Sequence, residues 1–388
     1  MGGNALKTIT TTRKSPGVYQ RIKAHVLKTL DDKLGLTGIK WRVPYEVHGK
    51  ESYGDLDVLI TRQSGFDIRE WILETFKPDE LVSNGGVYSF NIPSVIPMPD
   101  CSYGECDSEC QWPSSECELH YSKDDFGKTI PSPAKDFQID FITTPAEQFA
   151  IHHFFLSYGD CGMLIGQIAH ATGLRMGADS SAVPSANSYA VRFGQQGLFT
   201  SISDRPGMSD DLILSTDPSK ICEFLGLVYT EWKHGCGSEG HIFRWLCESP
   251  YIHLVKLKPR PGRDMYLRFI DYVAANLVPP KRMPNVPALD AIITYFGKQS
   301  EFAEIQKKQA DAVRRSEKFG AHLFSALGDI PGRELGQIIA GFKREIPGDF
   351  KAWVLATDEA EIQQKVTDYL TDAGLIMQKA TDAGLLSQ

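Results

Sequence analysis

Two short apolar runs that carry aspartates constrain this chain more than any other feature. The first is Gly54-Asp55-Leu56-Asp57-Val58-Leu59-Ile60, inside "HGKESYGDLDVLITR" (48–62), and the second is Gln138-Ile139-Asp140-Phe141-Ile142. Both read as β-strands, a setting in which Asp is depleted. Side chains alternate along a strand, so Asp55 and Asp57 share one face. Like charges on one face repel unless solvent screens them or a cation lies between them. Asp140 poses the problem singly, because a buried charge without compensation is costly. If its strand pairs beside the first, three carboxylates converge on one edge of a sheet. Such a set can hold two hard divalent cations about 4 Å apart.

The remaining pattern surrounds these strands with helices. Ser15-Pro16 suits an N-cap and first turn, Val18, Ile22, Val26 and Leu30 recur every fourth residue, and Gly35 closes the helix. "IKWRVPYEV" (39–47) reads as a strand, "DIREWILETF" (67–76) as a helix and "GGVYSFNI" (85–92) as a strand after a glycine turn. From about residue 98 to 133 the chain is rich in Pro, Ser, Cys and acid without periodicity, the composition of a long inserted loop. Helical spacing returns in "PAEQFAIHHFFLSYG" (145–159) and "CGMLIGQIAHATGL" (161–174), and "STDPSKICEFLGL" (215–227) opens on a helix start and ends at a glycine. Beyond about residue 236 the chain reads as helical, with one long helix around 286–319. The pattern divides into a helical lead (1–36), a strand-bearing domain (37–150), a smaller α/β subdomain (151–235) and a helical C-terminal domain (236–388). The fold class is α+β.

The chain has 388 residues and a formal net charge of −8, which gives no global drive toward nucleic acid or anionic membrane. Polynucleotide contact therefore has to come from local basic patches, of which "KLKPRPGR" (Lys256–Arg263) and "KKQADAVRR" (Lys307–Arg315) are the two candidates. Solvated surface accounts for both adequately, and an electrostatic grip on a nucleic acid is the alternative. No stretch approaches the roughly 18 apolar residues of a membrane-spanning helix, and the N-terminus lacks the apolar core of a secretory signal. A soluble intracellular protein, cytoplasmic or nuclear, is expected.

"G-K-E-S-Y-G-D-L-D-V-L-I-T" (Gly49 to Thr61) resembles the first catalytic strand of the family X DNA polymerases. More broadly it is similar to the DNA polymerase β-type nucleotidyltransferase superfamily. "QIDFI" matches the apolar-Asp-apolar strand that supplies the third carboxylate there. "FFLSYGDCGMLIGQIAHATGL" is similar to the segment leading into the helix that meets the sugar and base of the nucleotide, and "LSTDPSKICEFLGLVY" resembles the closing element of the thumb. The likeness covers roughly residues 37 to 232, in order along the chain. It implies a palm, a mixed sheet with helices on one face, followed by a thumb-like subdomain. It implies that Asp55, Asp57 and Asp140 are catalytic and bind two Mg2+ or Mn2+ ions. The transfer implied is of a nucleoside monophosphate from an NTP or dNTP to an acceptor hydroxyl, for which a nucleic-acid end is the leading candidate. His48, Gly49, Lys50, Ser52 and Gly54, with Ser157, Tyr158 and Gly159, are the nucleotide-binding candidates.

Some features depart from that pattern. The family's Gly-Ser pair about ten residues before the first aspartate is Pro44-Tyr45 here, and its arginine just before the motif is His48, so phosphate binding has to be rebuilt. The helix-hairpin-helix modules that hold DNA are absent, which favours short additions over processive synthesis. Two alternatives stand beside the polynucleotide reading: a module that binds nucleotide and metal with little turnover, and a transferase acting on a protein or small molecule. Cys101, Cys106, Cys110, Cys117 and His120 offer a structural zinc site, but they contain no C-x2-C pair and match no common zinc knuckle, which favours a loop. His152 and His153 lie in an apolar helical run and read as core residues.

Overall fold

The computed structural model describes residues 5–92, 121–123, 129–131, 136–176, 198–205 and 208–376. The cysteine-rich run with its zinc candidates Cys101, Cys106, Cys110, Cys117 and His120 lies outside them. The chain divides into two compact units, 1–201 with 213–296, and 202–212 with 297–388.

The first unit is built on a five-stranded mixed sheet. Its strands are β1 (Trp41–Arg42), β2 (Asp55–Thr61), β3 (Leu81–Asn84), β4 (Val87–Ile92) and β7 (Phe137–Thr144); β5 (Tyr121–Lys123) and β6 (Thr129–Pro131) form a separate pair. The order is β1-β2-β7-β4-β3, with β2 and β7 parallel and β4 antiparallel to β7. One face packs on helices α1 (Pro16–Leu34) and α2 (Ile68–Phe76). There Leu56, Val58 and Ile60 of β2, Ile139 and Phe141 of β7, and Phe90 of β4 meet Val18, Ile22, Val26 and Leu30 of α1. These four α1 residues are the predicted stripe, and burying each contributes roughly 1.5–3 kcal/mol. Asp67 caps α2 by accepting from the amides of Arg69 and Glu70. Ser15 occupies the N-cap position of α1, but its buried hydroxyl makes no cap bond.

Alternation puts Asp55, Asp57, Gln138, Asp140, Ser89 and Asn91 on the opposite face. Further along that face α3 (Phe149–Leu156) packs on β2, and α4 (Cys161–Ala171) follows it. The strand expected over 39–47 shrinks to Trp41–Arg42. Pro44 has no amide to donate, and the backbone of Tyr45 bonds instead to the α3–α4 junction. β8 (Arg175–Met176) pairs with β9 (Leu198–Arg205), which β10 (Met208–Ser215) follows. Next come α5 (Pro218–Leu225), capped by Asp217 and ended by left-handed Gly226, α6 (Tyr229–His234), α7 (Glu239–Cys247) and α8 (Asp264–Asn276).

The long helix expected around 286–319 is two helices. α9 (Leu289–Phe296) stops at Gly297, whose φ of 69° is left-handed, and α10 (Gln299–Lys318) begins after it. Glycine enters that conformation without a Cβ penalty, so the helix ends there although apolar residues continue beyond it. The second unit continues with α11 (Gly332–Glu345), α12 (Phe350–Ala356) and α13 (Glu359–Asp372) around Phe324, Phe342, Val354, Ile362 and Val366. Lys318 donates to the carbonyls of Leu355 (3.3 Å) and Thr357 (2.8 Å), satisfying acceptors at the end of α12. Among the described residues no helix is long and apolar enough to cross a membrane.

Candidate metal centre

Parallel pairing of β2 and β7 sets Asp57 opposite Asp140 and Asp55 opposite Gln138. One carboxylate oxygen from each of Asp55, Asp57 and Asp140 lies within 4.8 Å of the other two. Asp55 and Asp140 are half-buried, and Asp57 is at least as open. Each strand is fixed by a hydrogen-bonded neighbour, so the spacing is set by backbone register rather than by flexible loops.

The electrostatics are those of a site short of positive charge. Burial, then repulsion from Asp55 and Asp140, pushes the Asp57 carboxyl well above its ordinary range, with Lys50 pulling the other way. Burial first, and Asp55 beside it, push Asp140 up to about 6, against hydrogen bonds from Ser89 and Gln138. A divalent cation reverses both effects by favouring the ionised carboxylates. An all-oxygen, anionic donor set fits hard cations such as Mg2+ or Mn2+ rather than zinc.

The structure adds residues that the sequence reading passed over. Gln138 is buried, and its amide Nε2 donates to both oxygens of Asp140 (2.9 and 3.0 Å). Its own Oε1 accepts from the backbone amide of Ala5 at 3.0 Å, which fixes which way the amide faces. Ser89 of β4 stands opposite Asp140. Period-two alternation in "Q-I-D" would have found Gln138, whereas Ser89 needed the register. Arg13 lies beside the motif, donating from Nε to the Ser52 hydroxyl (2.9 Å) and from Nη2 to the Ser52 carbonyl (2.7 Å).

The motif turn leads into β2. His48, Gly49 and Lys50 are exposed, Gly49 is left-handed (φ 77°), Ser52 is half-buried and Gly54 is buried. The Lys50 ammonium lies 5.5 Å from the centre of the Tyr53 ring, which stacks on Tyr19 at 3.9 Å. Tyr19 and Lys23 both hydrogen-bond Glu46, whose carboxyl burial raises to about 7.

Ser157, Tyr158 and Gly159 sit differently. Ser157 is fully buried; its hydroxyl donates to the His153 carbonyl (2.6 Å) and accepts from the Tyr45 amide (2.9 Å). Tyr158 is 1% exposed, and its hydroxyl donates to the Trp232 carbonyl (3.0 Å) and accepts from the Cys236 amide (3.1 Å). Tyr158 and Gly159 are both left-handed, with φ of 61° and 65°. The tyrosine costs roughly 1–2 kcal/mol there, which its buried hydrogen bonds offset. His153 lies in the same cluster, edge-on to Tyr45 at 4.8 Å, and burial lowers it to about 4, so the ring is neutral. It is a core histidine, as its apolar run suggests.

In the basic patches, Arg263 pairs with Asp160 (3.0 Å) and Arg260 lies over Tyr266, while Lys256 and Lys258 are exposed. Lys307–Arg315 lies on α10, where Arg314 pairs with Asp311. The sequence matches no protein-family model and no curated protein.

Proposed function

We propose that the carboxylate edge is the catalytic centre of a metal-dependent nucleotidyltransferase, on a palm like that of the DNA polymerase β-type enzymes. The observation that carries this reading is the convergence of Asp55, Asp57 and Asp140 from two parallel strands, with oxygens within 4.8 Å. Together they would hold Mg2+ or Mn2+, and bound ions would neutralise triphosphate oxygens and make an acceptor hydroxyl easier to deprotonate. The chain's own part is positioning. Asp55 and Asp57 share a strand face, while Gln138 and Ser89 hold Asp140, the carboxylate assigned to the acceptor side. An electrostatic site built on rigid strands needs little reorganisation during reaction. The acceptor is a hydroxyl, and a nucleic-acid end is the first candidate to try.

The test is incubation with each labelled NTP and dNTP, Mg2+ or Mn2+, and RNA, DNA, protein and small-molecule acceptors. Metal-dependent release of pyrophosphate with label on one acceptor class is expected. Binding of nucleotide and metal without transfer to any acceptor would reduce the chain to a binding module.

A further inference from the structure

The N-terminal segment ahead of α1 is a fitted arm. Glu80 accepts from the amides of Lys7 (2.8 Å), Thr8 (2.8 Å) and Ile9 (2.9 Å) and from the Thr8 hydroxyl (2.7 Å). The Thr12 amide then donates to the Asp136 carbonyl at 3.1 Å, at the start of β7. Lys14 exchanges both backbone hydrogen bonds with Tyr53 (2.8 and 2.9 Å), two residues before Asp55. The arm thus crosses the ends of β7 and β2 where the carboxylates stand.

Its extended backbone alternates. Thr12 and Lys14 turn one way, joined by a 2.8 Å hydrogen bond, and Lys14 is only 6% exposed. Arg13 turns the other way, exposed, and grips Ser52 through Nε and Nη2. Backbone bonds on both sides hold its Cα, Ser52 holds its guanidinium, and none of the described carboxylates pairs with it. A guanidinium has five donors, so Nη1 is still available to a ligand. Lys50, on the adjacent Tyr53, is close enough to influence Asp57. Lys50 therefore lies near the acidic edge, and Arg13 is held on the same turn by Ser52, which is at most roughly 11 Å along the chain from Asp55. A ligand satisfying both halves carries a metal ion and several negative charges, the description of a metal–polyphosphate.

We propose that Arg13, presented by the N-terminal arm, binds the polyphosphate tail of the nucleotide and supplies the guanidinium that is missing at His48. This rests on the nucleotidyltransferase reading. Guanidinium suits the role through its planar fork for phosphate oxygens. Sequence could not have found it, since Arg13 stands forty-one positions before Gly54 and nothing marks it among the surrounding polar residues.

The experiment is equilibrium binding of Mg2+ with the ribonucleoside triphosphate that the wild-type chain holds best, and of the matching monophosphate, to wild type, Arg13→Gln and Arg13→Lys. Thermal unfolding and Mn2+ binding in the absence of nucleotide control for folding and for the carboxylates. Arg13→Gln is expected to weaken triphosphate binding about 10- to 100-fold and monophosphate binding less than about threefold, with Arg13→Lys in between. Unchanged triphosphate affinity in Arg13→Gln would overturn the proposal and leave the nucleotidyltransferase reading standing. Equal loss for both nucleotides would overturn it too, by making Arg13 a support of the turn. Failure of wild type to bind any triphosphate would instead overturn the nucleotidyltransferase reading, and this inference with it.

Discussion

The carboxylate edge and the Ser157–Gly159 junction lie on the same unit, yet they handle their polar side chains in opposite ways. At the edge, three half-buried acids stand together with their like charges repelling one another. At the junction, every named polar side chain is turned inward and spent on backbone groups: Ser157 on His153 and Tyr45, Tyr158 on Trp232 and Cys236. One region gathers like charges, and the other pairs its polar groups with backbone. Strand alternation decides the first and helix-junction packing the second. The lesson is that a side chain's chemical type suggests a site only once its direction is known.

The largest expected effect lies at the edge. Asp140→Asn keeps the volume but removes a charge, and turnover is expected to fall about a hundredfold or more while nucleotide affinity changes far less. Steady-state rates and equilibrium binding on the same preparation check this. Equal loss of both would move Asp140 from the acceptor side to nucleotide binding.

Next comes pH. Asp140 is held at about 6, above the roughly 3.9 of an unfolded Asp. Its contribution to stability is therefore fully present below about pH 4 and lost as pH rises through about 6. Thermal or urea unfolding of the metal-free protein, as wild type minus Asp140→Asn, is expected to reveal this as a relative loss on the order of 1–3 kcal/mol across that window. Mg2+ at pH 7.5 is expected to restore it. A difference that does not change with pH would mean that the edge is not strained by its own charge.

At the junction the effect is on stability. Tyr158→Phe strands the Cys236 amide and leaves the Trp232 carbonyl with only the long bond from the Gly235 amide, and about 1–2 kcal/mol is expected to be lost in chemical denaturation. Loss of nucleotide affinity with stability intact would instead place Tyr158 among the ligand-binding groups and collapse the contrast between the two regions. The smallest effect is Ser15→Ala. A capping serine is worth about 1 kcal/mol, but this one makes no cap bond, so a change within about 0.5 kcal/mol is expected.

Much of the edge was legible in the sequence because strand periodicity fixes direction. Asp55 and Asp57 had to share a face, and the apolar neighbours of Asp140 marked its strand. The α1 stripe at Val18, Ile22, Val26 and Leu30 was legible for the same reason, with a period of 3.6 in place of two. What escaped depended on distant pairing. Gln138 is oriented by Ala5, Arg13 is placed by Lys14 and Tyr53, and Ser89 by the register of β4 against β7. Pro44 announced the end of β1, but the backbone partners that replace the strand at Tyr45 lie more than a hundred residues away. Gly297 was visible, and its left-handed turn divides what apolar spacing alone reads as one helix.

The central claim is that these three carboxylates act as a cation site, and Mn2+ binding followed by electron paramagnetic resonance tests it without reference to any substrate. Wild type is expected to bind Mn2+ competitively with Mg2+, and Asp57→Asn, with Asp57 flanked by both other acids, to weaken that binding at least tenfold while the protein stays folded. Mn2+ bound equally well by wild type and by the variant lacking all three carboxylates would contradict the account.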